Sequence, residues 1–121
     1  MGKPEWMKEA PKPISSILIA NRGEIACRII RACHEMEIEA IAIQSSSDEG
    51  SLHTEMADRV VTLTGDSLAE TYLNGDAIIN AAKSFGADGI HPGYGFLSER
   101  AEFAKKVISS GLIWIGPSPE A

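Results

Sequence analysis

The sequence predicts an α/β fold in which a mainly parallel β-sheet is covered by helices on both faces. Strand-length apolar segments alternate with segments of helical spacing along nearly the whole chain, which is typical of βαβ units. The segment Ile17-Leu18-Ile19-Ala20 is a continuous apolar run, as expected of a strand that is buried on both faces. Polar turns that contain glycine follow two of the predicted strands. In such sheets ligands bind beyond the carboxyl ends of the strands, so we look for a site there.

The predicted elements begin with a strand from Ser16 to Ala20. The first helix follows, because five apolar residues trace one helical face; they are Ile25, Ile29, Ala32, Cys33 and Met36. We expect further strands at 40–43, 60–63, 87–91 and 112–115, and further helices at 76–85 and 98–110. The last helix is expected to turn four residues inward, namely Ala101, Ala104, Val107 and Ile108. Residues 45–58 are too long for a tight loop, so a short helix is predicted at 52–56.

Length and charge argue against several classes of protein. The chain has 121 residues, enough for one domain with a core, and 44% of them are hydrophobic. Its apolar runs are far shorter than the ~20 residues that cross a bilayer, so no membrane partner is expected. There are 11 basic and 17 acidic residues, and the net charge of −6 argues against binding to nucleic acid.

The two ends of the chain differ in composition from its centre. Residues 1–13 contain three prolines and alternating charges, so we expect a flexible leader followed by one domain over residues 14–121. The last residues have the composition of a strand that leaves into a loop, and we expect the sequence to be part of something longer.

The two cysteines, Cys27 and Cys33, lie six positions apart in the first predicted helix. They face different directions there and cannot form a disulfide with each other. Reduced thiols favour a cytoplasmic protein, or one of the mitochondrial matrix if the source is a eukaryote.

The turn after the first strand reads Asn21-Arg22-Gly23-Glu24. Asn21 is expected to cap the following helix, and Glu24 to complete a capping box. A dinucleotide site would require the pattern Gly-x-Gly-x-x-Gly at this turn, where Gly23 stands alone. A nucleotide-binding α/β domain is therefore an alternative that the sequence disfavours.

The most informative segment runs from Gly89 to Glu99. It leaves a strand, turns through Gly93 and Gly95, and enters a helix that Ser98 is expected to cap. Tyr94 stands between the two glycines, so its ring is expected to project from the loop. A projecting aromatic ring at the carboxyl end of a strand suits a flat ligand.

Two ionisable residues of this segment have alternative interpretations. His91 is either a general base or, as we favour, a core histidine hydrogen-bonded to backbone. Glu99 either takes part in a site or interacts with the dipole of the helix it precedes. The sequence shows no metal-ligating spacing and no nucleophile motif, so neither a metal site nor a catalytic residue is assigned.

Two long motifs together resemble those of a known family. The segment from Ile17 to Arg31 resembles the opening of a biotin carboxylase, and the segment from His91 to Glu99 resembles the second signature of that family. The resemblance extends from about residue 15 to the end of the chain. It implies a Rossmann-like, three-layer fold with a mainly parallel sheet, known as the pre-ATP-grasp domain.

The resemblance also implies a function. Biotin carboxylases use ATP and bicarbonate to carboxylate biotin, and they serve acyl-CoA or pyruvate carboxylases. The chain resembles the N-terminal domain alone, which contributes to the biotin pocket and to a docking or dimer surface and is expected to be inactive by itself. Biotin, ATP and Mg are cofactors of the parent enzyme, and none is expected to bind this part alone.

The implied partners are the remaining ATP-grasp portion, the biotin carrier domain and a second copy of the chain. A free-standing, non-enzymatic interaction module is the main alternative. The acyl-CoA or keto acid that the parent enzyme serves is left open.

Matched residue by residue, Tyr94 and Gly95 correspond to positions that line the biotin pocket in the family. His91, Gly93 and Glu99 are expected to support that site.

Arg31 and Glu35 match first-helix positions that lie at the two-fold contact of bacterial dimers, although a merely solvated polar stripe would explain them as well. The sequence departs from the family at the end of this helix, where Met36-Glu37-Ile38 stands in place of the usual glycine.

Overall fold

The computed structural model describes residues 14–48, 50–65 and 67–116. The leader predicted for residues 1–13 lies outside the described residues. The strands are β1 (Ser16–Ile19), β2 (Glu39–Gln44), β3 (Arg59–Thr62), β4 (Gly89–His91) and β5 (Ile113–Trp114). The α-helices are α1 (Gly23–Glu35), α2 (Leu52–Met56), α3 (Gly75–Phe85) and α4 (Ala101–Ser109), and a 3-10 turn covers Ser46–Asp48. None of these helices is long and apolar enough to span a bilayer.

The sheet has the order β3-β2-β1-β4-β5, and every pair of neighbouring strands is parallel. The predicted α/β fold with a parallel sheet is thus confirmed. The chain moves outward from β1 in one direction with β2 and β3, and in the other direction with β4 and β5. The loops that follow β1 and β4 therefore meet at the carboxyl edge of the sheet, where ligands bind in folds of this class.

Alternate side chains of the strands build a hydrophobic core on each face of the sheet. Leu18 and Ile41 pack on one face with residues of α3 and α4. Ile17 and Ile19 pack on the other face with residues of α1. Helices therefore cover both faces, which gives the three layers that the sequence predicts. Cys27 and Cys33 are free, buried thiols of α1.

The helical face that α1 buries is not the predicted one. The buried residues are Ala26, Cys27, Ile30 and Cys33. Of the predicted face, Cys33 alone is buried, whereas Ile25 and Ile29 are partly buried and Ala32 and Met36 are exposed. The helix carries apolar residues on two adjacent faces, and their spacing cannot tell which face meets the sheet. Ala26 and Cys33 of this buried face pack in the same cluster as Ile17 and Ile19 of β1.

The inward face of α4 is only partly as predicted. Phe103, Ala104 and Val107 are buried, whereas Ala101 and Ile108 are exposed. The ring of Phe103 also packs edge-on against Trp114 of β5, with centroids 5.6 Å apart. This aromatic contact, which sequence spacing does not reveal, lies on the face that α4 buries.

Both predicted side-chain caps are wrong. Helix α1 has Arg22 at its N-cap position and α4 has Arg100, and neither side chain makes a capping hydrogen bond. Asn21 instead points across the sheet edge to the loop after β4. Ser98 is buried in a turn that precedes α4, where its backbone N–H donates to the carbonyl of Gly95.

Helix α1 ends in a Schellman motif that has a glutamate at the position usually taken by glycine. The N–H of Ile38 donates to the carbonyl of Cys33 at 2.8 Å, and the N–H of Glu37 donates to that of His34 at 3.1 Å. Glu37 has φ +60°, in the left-handed region that disfavours residues with a Cβ atom. The absence of glycine in this turn therefore leaves the hydrogen bonds intact but strains one residue.

The Glu37→Gly variant is expected to be more stable than the wild type. Relief of the strain at the left-handed residue outweighs the added conformational freedom of the unfolded chain. The free energy of unfolding should therefore rise by about 0.5–1 kcal/mol, and Tm by about 4 °C. Differential scanning calorimetry measures the shift. The matched control is Glu102→Gly in α4, which should lose about 0.5–1 kcal/mol because glycine weakens a helix. A loss of stability in both variants would contradict the assignment of strain to Glu37.

Candidate functional site

The loops that follow β1 and β4 are joined by the side chain of Asn21, which is 2% exposed. Its amide group donates to the carbonyl oxygens of Pro92 at 2.8 Å and Tyr94 at 2.7 Å. Its oxygen accepts a hydrogen bond from the backbone N–H of Arg22 at 2.8 Å. The two loops thus form a single unit at the edge where the sequence places a site.

The loop from Pro92 to Phe96, here called the glycine loop, has an unusual backbone. Gly93, Gly95 and Phe96 have φ values of +68°, +67° and +48°. Gly93 also lies close to the first loop: a Cβ atom there would stand 2.7 Å from Nδ2 of Asn21 and 2.9 Å from Cγ2 of Ile25. A Cβ atom on Gly95 would meet nothing within 4 Å. Gly93 is therefore required for packing, whereas Gly95 leaves open space beside the loop.

The ring of Tyr94 projects from this loop, as the sequence predicts, with 73% of the residue exposed. The flanking glycines offer no side chain to cover it. An aromatic face and an adjacent open backbone are thus presented together at the carboxyl edge of the sheet. This arrangement suits contact with a flat, partly apolar group.

His91 ends β4 beneath the glycine loop and is partly buried. Its Nδ1 accepts a hydrogen bond from the backbone N–H of Gly93 at 3.1 Å, and burial lowers the pKa of its imidazole. The imidazole therefore supports the loop through a hydrogen bond to its backbone. Glu99 lies exposed, two residues before α4 begins.

A buried polar network, which the sequence analysis did not single out, lies behind the glycine loop. The hydroxyl of Tyr72 donates to the carboxylate of Asp48 at 2.6 Å and lies 3.1 Å from the carbonyl oxygen of Ile43. Asp48 also accepts a hydrogen bond from the hydroxyl of Ser45 at 3.1 Å, and Arg22 lies 3.5 Å away. Burial alone would raise the pKa of Asp48, but the hydrogen bonds from Tyr72 and Ser45 outweigh burial and lower it.

The ring of Tyr72 connects this network to the glycine loop. It stacks on Phe96 with centroids 5.4 Å apart, and the guanidinium of Arg22 lies 5.5 Å from its centroid. Burial, with the neighbouring Asp48 carboxylate, raises the pKa of the Tyr72 phenol well above its usual value. Tyr72 is 24 positions away from both Asp48 and Phe96 and lies still farther along the chain from Arg22, so no spacing pattern could have found the cluster.

An apolar groove of about 830 Å³ runs from the glycine loop along α1. Its floor includes Ile17 and Ile115, and one wall is the face of α1 that bears Ile25, Ile29 and Met36. This face is the one that the sequence analysis assigned to the core. The mouth of the groove is formed by residues of the second motif, namely His91, Gly93, Tyr94, Ser98 and Glu99. The groove therefore joins the unburied face of α1 to four of the five residues predicted for the site or its support.

The remaining predicted residues, Arg31 and Glu35, lie on the exposed surface of α1. Arg31 forms an ion pair with Glu24 at 3.8 Å, and both side chains are more than half exposed. In the described ranges no group of three or more acidic, cysteine or histidine side chains could hold a metal ion.

The sequence profile of the family described as "Biotin carboxylase, N-terminal domain" matches residues 13–121. The biotin-dependent acyl-coenzyme A carboxylase alpha3 subunit of Mycobacterium leprae is 47% identical over 112 residues, which is 93% of this chain and 19% of that subunit. The biotin carboxylase of Halalkalibacterium halodurans is 51% identical over 104 residues, 86% of this chain and 23% of that enzyme. The chain thus spans less than a quarter of either relative.

Solved structures give the same result. The biotin carboxylase domain of a thermophilic 2-oxoglutarate carboxylase matches with a TM-score of 0.85 and 43% identity, over 88% of this chain and 24% of that one. The urea carboxylase of Kluyveromyces lactis matches with a TM-score of 0.87 and 48% identity, over 91% of this chain and 10% of that one. The three-layer fold and the sequence motifs therefore lead to the same family.

Proposed function

Because the chain belongs to the family of biotin carboxylase N-terminal domains, we propose that it is the opening domain of a biotin-dependent carboxylase. The parent enzyme uses ATP and bicarbonate to carboxylate biotin, and this domain supplies one wall of the biotin pocket. The observation that carries the proposal is the exposed Tyr94 in a glycine loop at the carboxyl edge of the sheet.

In this proposal Tyr94 and Gly95 contact biotin. The bicyclic ring system of biotin is flat enough at its ureido end to lie against an aromatic face, and the open side of Gly95 leaves room for it. His91 and Gly93 support the loop through their mutual hydrogen bond, and Glu99 lies at the mouth of the groove. A biotin carrier domain would deliver its biotin to this edge.

The apolar groove is proposed to receive the polypeptide that follows this domain in the parent enzyme, which is the start of the ATP-grasp portion. Two observations support that occupant. The curated relatives are more than four times as long as the part that matches this chain. Ile115 and Gly116, which follow the last strand, both line the groove, so the groove borders the C-terminal part of the described fold. The ATP-grasp portion would also hold ATP and Mg.

The exposed pair Arg31 and Glu35 is proposed as a contact with a second copy of the chain. Their position on the solvent face of α1 supports this role, because neither side chain is used in the core. The two free cysteines support a reducing compartment, either the cytoplasm or the mitochondrial matrix.

Release of ADP, measured with ATP, Mg, bicarbonate and free biotin, tests the proposal. The 121-residue chain alone is expected to show no turnover above buffer. The full-length protein is expected to release ADP in a biotin-dependent manner. Release that does not depend on biotin would contradict the proposal and favour a nucleotide-binding domain of another kind. Biotin-dependent turnover by the 121-residue chain alone would contradict the assignment of ATP binding to the rest of the enzyme.

A further inference from the structure

The conformation of the glycine loop is not one that its own sequence favours. Phe96 has φ +48°, and bulky residues with positive φ are rare because their backbone is strained. Gly93 and Gly95 can adopt positive φ freely, but they are just as free to leave it. Contacts from outside the loop must therefore hold this conformation.

Besides the hydrogen bonds that it makes with His91 and Ser98, the loop has a contact from outside at each of its ends. At the far end, the ring of Phe96 stacks on the buried ring of Tyr72. At the near end, the amide of Asn21 donates both of its hydrogens to loop carbonyls, those of Pro92 and Tyr94. One of these hydrogen bonds therefore holds the backbone of Tyr94 itself, the residue whose ring projects from the loop.

The chemistry of asparagine fits this place closely. Its amide nitrogen offers two donors and its oxygen offers acceptor sites, and both atoms are used here: two carbonyl oxygens face the nitrogen, and one N–H, that of Arg22, faces the oxygen. The reverse orientation of the amide would set its oxygen against two carbonyl oxygens. Gly93 lies so close to Nδ2 that a Cβ atom there would displace the amide.

We propose that Asn21 is a positioning residue, whose two amide hydrogens hold the glycine loop in the conformation that presents Tyr94 and Gly95 to biotin. The inference rests on the proposed function for the identity of the ligand, whereas the restraint on the loop stands on the geometry alone.

The test uses the Asn21→Asp variant of the full-length protein. The two side chains have nearly the same shape, and aspartate can still accept from Arg22, but both donors are replaced by an acceptor oxygen. The matched control is Asn74→Asp, which adds the same charge at the N-cap of α3. There the side-chain oxygen accepts from Ala77, as aspartate can, and the amide makes one long hydrogen bond, of 3.4 Å, to the carbonyl of Glu70.

The first readout is hydrogen exchange of peptides that cover residues 92–99. Two amides in this stretch report on the loop: that of Gly93, bonded to His91, and that of Ser98, bonded to the carbonyl of Gly95. Asn21→Asp should accelerate their exchange by about tenfold or more, and Asn74→Asp should leave it unchanged. The second readout compares the KM values for the two substrates. The KM for free biotin should rise about tenfold, while the KM for ATP stays within about twofold.

Each outcome decides the inference. Hydrogen exchange at residues 92–99 that is as slow in Asn21→Asp as in the wild type would show that Asn21 does not restrain the loop. Faster exchange with an unchanged KM for biotin would overturn the positioning role. If the wild-type protein shows no dependence on biotin, the proposed function fails, and the exchange result alone decides whether Asn21 holds the loop. If Asn21→Asp does not fold, Gly93→Ala serves instead, because its Cβ atom would displace the side-chain amide of Asn21. Gly93→Ala should accelerate hydrogen exchange at Ser98 to the same extent. Unaltered exchange at Ser98 would overturn the inference.

Discussion

Replacing Tyr72 with alanine is expected to lower the free energy of unfolding by about 3–5 kcal/mol, as is usual when a large buried aromatic side chain is removed. Tyr72 is 1% exposed and belongs to the larger hydrophobic core. Its ring lies against Phe96 and the guanidinium of Arg22, so the truncation leaves a cavity between the core and the glycine loop. Equilibrium urea unfolding followed by circular dichroism measures the loss.

The chain contains a matched control, because it has two tyrosines. Tyr94→Ala removes the same atoms from a residue that is 73% exposed, and it should change the free energy of unfolding by less than about 0.5 kcal/mol. Tyr72→Phe retains the ring and removes the hydroxyl alone, which should cost about 1–2 kcal/mol because the carboxylate of Asp48 loses this donor. Equal losses from the two alanine variants would refute the different roles assigned to the tyrosines.

The contribution of the Tyr72 hydroxyl also depends on pH. The pKa of Asp48 is lowered in the folded protein from the usual value of 3.8, so the carboxylate contributes stability that is present above that pKa. This stability is lost progressively as the pH falls from about 3.8 to the lowered pKa, because the unfolded state takes up a proton there before the folded state does. The difference in unfolding free energy between the wild type and Tyr72→Phe should therefore be constant near neutral pH and shrink in the acid range below 3.8.

Much of the fold follows from local patterns. The continuous apolar run of β1 and the alternation of strands and helices are enough to predict a parallel sheet with helices on both faces, and the sheet confirms them. The ring of Tyr94 projects as predicted because the reason is local: a residue between two glycines has no neighbouring side chains to cover it. Such features depend on residues that are adjacent in the sequence.

The failed predictions concern choices that depend on distant residues. Helix α1 has two apolar faces, and the sheet beneath it decides which is buried. Asn21 has every local feature of a helix cap, but two carbonyls more than 70 residues away offer its amide a better set of partners. The contact between Tyr72 and Asp48 also joins residues that are 24 positions apart, and their spacing gives no sign of it. The residues that support the glycine loop were therefore harder to predict than Tyr94, the residue that the loop exposes.

In the full-length protein, Tyr94→Ala is expected to raise the KM for free biotin by about 10- to 100-fold. A ring that covers a bound apolar group contributes about 1.5–3 kcal/mol, and such a loss corresponds to that range. The KM for ATP should stay within about twofold, because the proposal places ATP on the following portion of the enzyme. Steady-state ADP release at varied biotin and at varied ATP separates the two constants.

Tyr94→Phe serves as the control, because it keeps the exposed aromatic face and removes the hydroxyl alone; its KM for biotin should stay within about threefold of the wild type. Equal losses for biotin and ATP in Tyr94→Ala would count against a role in the biotin pocket. The free energies of unfolding of the two alanine variants then separate recognition of biotin from support of the loop. Since Tyr94 is exposed, Tyr94→Ala should raise the KM for biotin and leave the free energy of unfolding unchanged. Since Tyr72 is buried, Tyr72→Ala should have its larger effect on the free energy of unfolding. These two results together would assign recognition of biotin to Tyr94 and support of the loop to Tyr72.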